Sequence, residues 1–440
     1  MSREAKTIHP LGGSLKGACS VPGDKSISHR AVLFSAMAEG VSHVSGLLDS
    51  GDVRASIDAV RKLGAEVDLE KQTDGSLEGE IRGWGAQGPK QPDEPIYCAN
   101  SGTTARLLMG VLAPWDIEVE LTGDEYLSKR PMRRITAPLM KMGVHFDPAG
   151  AETLPIREHG TRDLKAIVYD APMASAQLKT AVLLAGVYAN GTTTLNEPYP
   201  SRNHTELMLP EYGIETTAGS STASVEGGTI PQGSTIVVPG DPSSAAFIVC
   251  AALLREGSDV CIENVSLNPA RIGFIHTLER MGADVSIRGV GTAGKEPYGV
   301  ITVRYTPKLT GCEIPADKIA TIVDEVPVLA FMASFARGVT VFRETEGLRA
   351  KEINRPGSIV EGLERLGVEA WIEGADLYIE GQPGLKVPEG VVLDSHGDHR
   401  LAMTWALAGL CGETPVSVED FGCVDVSYPS FLDDFERLVG

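Results

Sequence analysis

The chain has no paired cysteines, no long apolar run and no excess of positive charge, and each absence removes a class of function. Seven cysteines (Cys19, Cys98, Cys250, Cys261, Cys312, Cys411 and Cys423) are scattered over 440 residues without a Cys-x-x-Cys pair. Such a set fits buried thiols in a reducing cytoplasm, not a disulfide framework. No uninterrupted apolar stretch reaches the ~20 residues that a membrane span requires. The opening residues, MSREAKTIHPLGG, lack the charged-then-apolar build of a secretory signal. A formal charge of −20 argues against nucleic acid or an anionic membrane as partner. His29, His204, His276, His396 and His399 never fall into metal-ligand spacing, and no dinucleotide glycine fingerprint is present. Neither a metal nor an organic cofactor is therefore expected.

What the sequence has in abundance is repetition. One pattern recurs six times: a polar start, an apolar helix rich in small residues, a Gly or polar turn, and a short strand. The starts read KSISHRAVLFSAMAEG from Lys25, NSGTTARLLMGVLA from Asn100, ASAQLKTAVLLAGVYANG from Ala174, DPSSAAFIVCAALLREG from Asp241, VDEVPVLAFMASFARG from Val323 and GDHRLAMTWALAGLCG from Gly397. A second helix follows in most copies and closes on a near-identical phrase: RKLGAEVDL, MKMGVHFD, LPEYGIETT, ERMGADVSI, ERLGVEAWI. Alternating helix-like and strand-like segments, with 42% apolar residues to bury, give an α/β (α+β) class and about two domains.

The phrase Val-Pro-Gly-Asp occurs at Val21–Asp24 and at Val238–Asp241, each time before a repeat helix. These turns bracket three repeats and leave three outside. The expected lobes are 22–239, and 1–21 together with 240–440, with hinges near 21–24 and 238–241. Two crossings suggest closure around something bound.

Chemistry concentrates at the repeat starts. In Pro22–Arg30, Ser26 and Arg30 lie four apart on one helical face, and Lys25 stands at the N-terminus, where free amides and the dipole favour an anion. Asn100, Ser101, Gly102 and Thr103 form an amide-rich turn before Arg106, and Gly102 lets a backbone approach a ligand. Ser175 and Gln177 add neutral donors, and Lys129, Arg130 and Arg202 add cations. The later repeats supply acids: Asp324 and Glu325 at the fifth start, Lys351, Glu352 and Arg355 in LRAKEINRP, and Asp398, His399 and Arg400 at the sixth. The fourth start, DPSSAAF, carries little obvious chemistry. Carboxylates beside lysines and arginines suit acid–base work on an anionic substrate. The residues point to a cofactor-independent enzyme acting on small, phosphorylated, multiply anionic substrates.

The ordered motifs PGDKSISHR, NSGTTARL, KRPM, MASAQLK, SRNHTE, VPGDPSSAAF, VDEVPVLA, KEINR and DHRLAM resemble those of the 5-enolpyruvylshikimate-3-phosphate synthase family of enolpyruvyl transferases, over essentially the whole chain. The resemblance implies a two-lobed fold, each lobe made of three βαβαββ units, and a monomer acting without cofactor on shikimate 3-phosphate and phosphoenolpyruvate. It implies that Lys25, Ser26, Arg30, Ser175, Ala176, Gln177 and Arg202 hold shikimate 3-phosphate, with Asp324 and Lys351 at its ring. Asp324 would accept the ring hydroxyl proton, while Glu352 with Lys351 manages proton transfer at the methylene carbon and Lys25 reaches the reacting centre. Arg130, Arg355 and Arg400 would clamp phosphoenolpyruvate, with Lys25, Asn100, Gly102, Thr103, Gln177, Asp398 and His399 around it. Gly102 is consistent with room for a phosphoenolpyruvate mimic such as glyphosate.

Some positions depart from the family pattern. Ala99 replaces the usual Gly, Ile353 and Pro356 replace residues flanking the lysine–glutamate motif, and Val426 stands where some members have lysine. Pro356 disfavours an α conformation at Arg355. Rival readings are a UDP-N-acetylglucosamine enolpyruvyl transferase, whose mobile loop usually carries a cysteine that Trp115–Arg134 lacks, a relative repurposed for elimination on a cyclohexene, and a non-catalytic repeat scaffold.

Overall fold

Past its polar start, each repeat helix is rich in small apolar residues, the pattern of a helix buried on most sides. The fourth, Pro242–Leu254, is buried at every position from Pro242 to Leu253. In the computed structural model, which describes residues 4–150 and 152–440, these helices form two separate cores. Lys25–Met37, Gly102–Leu112 and Ala176–Gly186 build one, the middle helix packing on both others. Pro242–Leu254, Val326–Ala333 and His399–Cys411 build the second and pack pairwise.

Small mixed sheets cover the helices. In one, Ile96–Tyr97 runs parallel to Glu118–Thr122, which pairs antiparallel with Ile156–His159, itself antiparallel to His145–Asp147. The same order recurs through Val168–Asp170, Thr192–Asn196, Thr222–Glu226 and Thr216–Ala218. It recurs again through Glu313–Ile314, Gly338–Phe342, Asp376–Gly381 and Ala370–Glu373. Two sheets take their parallel strand from the residues just before a Pro-Gly crossing: Thr235–Val237 beside Val41–Leu47, and Lys16–Ser20 beside Asp259–Ser266. The sixth sheet has three strands among the described residues: Val392–Asp394 runs parallel to Val416–Glu419, and Ala5–Ile8 supplies the antiparallel partner of Val416–Glu419.

The repeated closing phrase has one physical cause. Gly64, Gly143, Gly213, Gly282 and Gly367 all have φ between 77° and 113°. Around Gly143, its N–H donates to Met140 O and the Val144 N–H reaches back to Leu139 O. This is the paired bonding of a Schellman cap, which needs a left-handed residue and so favours glycine. The same two bonds recur at the other four glycines.

The chain divides into two compact units. The central unit is Pro22–Pro239 with Thr292–Glu296; the terminal unit holds the N-terminal residues up to Val21, Gly240–Gly291 and Pro297–Gly440. Two of the four changes of unit fall inside the Val-Pro-Gly-Asp phrases, and the Asp24 N–H donates to Pro239 O at 2.8 Å. The expected continuous lobe 240–440 is corrected at Thr292–Glu296, which groups with the central unit, where Glu296 bonds buried His204 at 3.3 Å. Among the described residues no helix is long and apolar enough to cross a membrane.

Candidate active site

In the central unit, Asp24 caps the first repeat helix by accepting the Ile27 N–H at 2.9 Å, which makes Lys25 and Ser26 first-turn residues. Lys25 Nζ lies 3.2 Å from Asp52 Oδ2. One turn on, Arg30 is 3% exposed and donates to Thr205 Oγ1 at 2.9 Å, Thr180 Oγ1 at 2.7 Å and Ser26 O at 2.8 Å. His29, in the same motif, turns inward. Burial first, then Lys25 and Arg30, hold its pKa well below the ordinary value, and its Nδ1 meets Ser56 Oγ at 2.8 Å. It is a neutral core group.

The second and third helix starts meet. Gln177 Nε2 donates to Thr103 Oγ1 at 3.0 Å, while Gln177 Oε1 accepts from Arg106 at 2.9 Å and Arg134 at 3.5 Å. Arg130 donates to Asn100 Oδ1 at 2.6 Å. Burial, reinforced by Arg130, lowers the Arg134 pKa, the mark of cations crowded out of water. A Cβ at Gly102 would lie 2.8 Å from Arg106 Nη1 and 3.2 Å from Arg130 Nη1, so glycine leaves the space between two guanidiniums open. Ala99 adopts φ 48°, a left-handed conformation that explains the family's glycine and costs an alanine about 1 kcal/mol. Ser175 caps the third helix through Leu178 N–H at 3.3 Å, with Ala176 and Gln177 its first residues. Arg202 precedes the short helix His204–Met208.

The terminal unit is organised by opposite charge. Asp398, fully buried, caps the sixth helix with Oδ1 on the N–H groups of Arg400 and Leu401, at 2.8 and 3.3 Å. Its Oδ2 accepts Arg355 Nε at 2.8 Å. Arg355, 1% exposed, also donates to Glu352 Oε2 at 2.8 Å and Asp324 Oδ1 at 3.1 Å, and Lys351 Nζ stands 3.6 Å from the same Asp324 oxygen. Burial opposes the Arg355 charge, but Asp398, Glu352 and Asp324 outweigh it and raise its pKa. The expectation that Pro356 disfavours an α conformation at Arg355 is corrected: the helix Arg355–Arg365 starts at Arg355. Pro356 occupies its first turn, where a missing N–H costs nothing, and three acids hold the guanidinium. Arg400 is 3% exposed, and its Nε and Nη1 have no hydrogen-bond partner among the described residues, an arrangement that an anion would complete. His399 opens the same helix and is buried.

Two further corrections concern the fourth and fifth repeats. The fifth helix spans Val326–Ala333 with Glu325 as its cap, so Asp324 sits in the turn before it. The fourth start is not bare: Asp241 Oδ1 accepts the Ser243 N–H at 2.8 Å and Arg271 Nη2 at 2.6 Å. Ser243 then bonds Glu325, which ties the fourth helix to the fifth. Sequence reasoning also left out Asp52, Arg106, Arg134, Lys179 and Glu197 as site residues. Only Arg106, four beyond Gly102, gave a visible spacing signal.

Comparison with known proteins agrees over the full length. The EPSP synthase (3-phosphoshikimate 1-carboxyvinyltransferase) family matches residues 11–435. A 3-phosphoshikimate 1-carboxyvinyltransferase of Nitrosococcus oceani is 41% identical over 422 residues, covering 96% of this chain and 93% of that protein. The EPSP synthase structure from Acinetobacter baumannii superposes with a TM-score of 0.86 at 38% identity, covering 99% and 98% of the two chains. The enolpyruvyl transferase NikO from Streptomyces tendae shares the fold, with a TM-score of 0.78 at 19% identity over 99% and 98%.

Proposed function

The chain belongs to the EPSP synthase family, and on that premise we propose how its residues divide the work of a 3-phosphoshikimate 1-carboxyvinyltransferase. The reaction transfers the enolpyruvyl group of phosphoenolpyruvate to the 5-hydroxyl of shikimate 3-phosphate and releases phosphate. Protonation of the methylene carbon makes C2 electrophilic, the hydroxyl adds, and a tetrahedral intermediate then loses phosphate and a methyl proton. Such a site needs a carbon acid, a hydroxyl base and strong anion neutralisation.

The central unit supplies the anion grip. Lys25, Ser26, Arg30, Ser175, Ala176, Gln177 and Arg202 take shikimate 3-phosphate, while Arg130, Asn100, Gly102 and Thr103 take phosphoenolpyruvate. Arg30 and Arg130 donate to hydroxyls, a carbonyl and an amide in the structure. Exchanging such acceptors for phosphate or carboxylate oxygens pairs the guanidinium with an opposite charge and allows a bidentate fit.

The terminal unit supplies the proton transfers. Asp324 is the hydroxyl base, Glu352 with Lys351 serves the methylene carbon, and Arg400 binds phosphoenolpyruvate beside His399. Arg355 gives one N–H from each of its three nitrogens to these acids, and the second hydrogens of Nη1 and Nη2 are the donors a substrate carboxylate would use. The observation that carries this reading is Arg355 held by Asp324, Glu352 and Asp398 within 3.1 Å. The test is incubation with shikimate 3-phosphate and phosphoenolpyruvate, following phosphate release and product by NMR. Turnover is expected only with both present; none with both would sink the reading.

A further inference from the structure

The third repeat helix starts with a cap completed from outside the helix. In a capping box, the residue three beyond the N-cap returns a carboxylate to the N-cap N–H. Here the N-cap is Ser175 and that position is Leu178, which has no acceptor. The carboxylate comes instead from Glu197, which follows the strand Thr192–Asn196: its Oε1 accepts the Ser175 N–H at 2.8 Å. Its Oε2 accepts the Ser201 hydroxyl at 2.8 Å and the Ser201 N–H at 3.3 Å. One buried carboxylate therefore ties down both the helix start Ser175–Gln177 and the segment Ser201–Arg202.

The charge is compensated locally. Lys179, one turn into the same helix and 4% exposed, donates to Glu197 Oε2 at 3.0 Å and Glu206 Oε1 at 2.8 Å. It also reaches Ser201 O at 3.4 Å. An ion triad buried this deeply is weak evidence for stability as such, because desolvation offsets most of the attraction. Its geometric effect is clearer: it orders two loops before any ligand arrives, and binding then avoids that ordering cost.

We propose that Glu197, held by Lys179, is a positioning residue for the ring-phosphate end of the substrate, acting through Ser175 and the Ser201–Arg202 segment. The inference rests on reading Ser175, Ala176, Gln177 and Arg202 as that phosphate's grip. Glu197→Gln suits the test, since the Lys179–Glu206 pair remains to neutralise the buried ammonium. The variant should raise KM for shikimate 3-phosphate about tenfold, with kcat and KM for phosphoenolpyruvate within about twofold of wild type. A merely structural role would lower the melting temperature and the active fraction, hence kcat, and leave both KM values alone; that outcome overturns the proposal. Should Glu197→Gln fail to fold, Glu197→Asp, which keeps the charge but draws the carboxylate back by one methylene, is read by the same split. A wild type that turns over while the variant keeps its KM for shikimate 3-phosphate overturns this inference alone. A wild type that releases no phosphate overturns the parent reading and this inference together.

Discussion

Both units bury arginines near helix starts, and the bonds those arginines make differ. In the central unit Arg30 and Arg130 donate to threonine hydroxyls, a carbonyl and an asparagine amide. In the terminal unit Arg355 donates to three carboxylates. Hydroxyl, carbonyl and amide acceptors of this kind can be exchanged for the oxygens of an anion. A guanidinium bonded to three acids fixes those acids in place. The same repeat pattern thus carries different groups near its helix starts in the two units.

The comparison breaks most sharply at the caps. Asp398→Ala removes a cap and leaves buried Arg355 short of a partner, so a loss of about 3–5 kcal/mol of stability is expected in denaturant unfolding, together with loss of turnover. Asp24→Ala, at the corresponding start in the central unit, removes a cap bond to Ile27 worth about 1 kcal/mol. Equal losses in the two variants would erase the distinction.

A second contrast concerns buried titratable groups. Glu158, in the strand Ile156–His159 of the central unit, is 1% exposed, neither carboxylate oxygen has a hydrogen-bond partner among the described residues, and burial raises its pKa well above 4.5. The unfolded chain releases this proton near pH 4.5 and the folded chain keeps it. Glu158 therefore costs stability increasingly as pH rises above 4.5, at up to about 1.4 kcal/mol per pH unit, until the folded value is passed. Glu158→Gln should flatten that slope, and its advantage over wild type should grow from pH 4.5 towards neutrality. Parallel unfolding curves for the two proteins would show that the carboxyl finds a partner. The smallest effect is expected at Ala99: Ala99→Gly should relieve the left-handed strain and raise stability by about 1 kcal/mol, less whatever glycine adds to the entropy of the unfolded chain.

Much of this was legible in the sequence because repetition exposes it. The Gly-x-x closing phrases announced helix ends that only a left-handed residue can make, and the helices rich in small apolar residues announced burial. The candidate acids and cations were legible because they sit at helix starts. What escaped were bonds between distant segments. Glu197 meets Ser175 across 22 residues, and Arg271 meets Asp241 across 30. Neither spacing has a period, so nothing in one dimension marks either pair. Pro356 misled for a related reason: its local preference was read correctly, but the three acids that hold Arg355 lie up to 43 residues away.

The division of labour is tested most directly by titrating shikimate 3-phosphate calorimetrically into Arg30→Met and Glu352→Gln and measuring kcat for both. In the first variant Thr180 and Thr205 still bond each other at 2.6 Å, and in the second a glutamine can still accept from Arg355, so both should fold. The account predicts that Arg30→Met weakens binding at least about tenfold. Glu352→Gln should bind within about twofold of wild type while losing about 10²–10⁴ in kcat. Parallel losses of binding and turnover in both variants would contradict it.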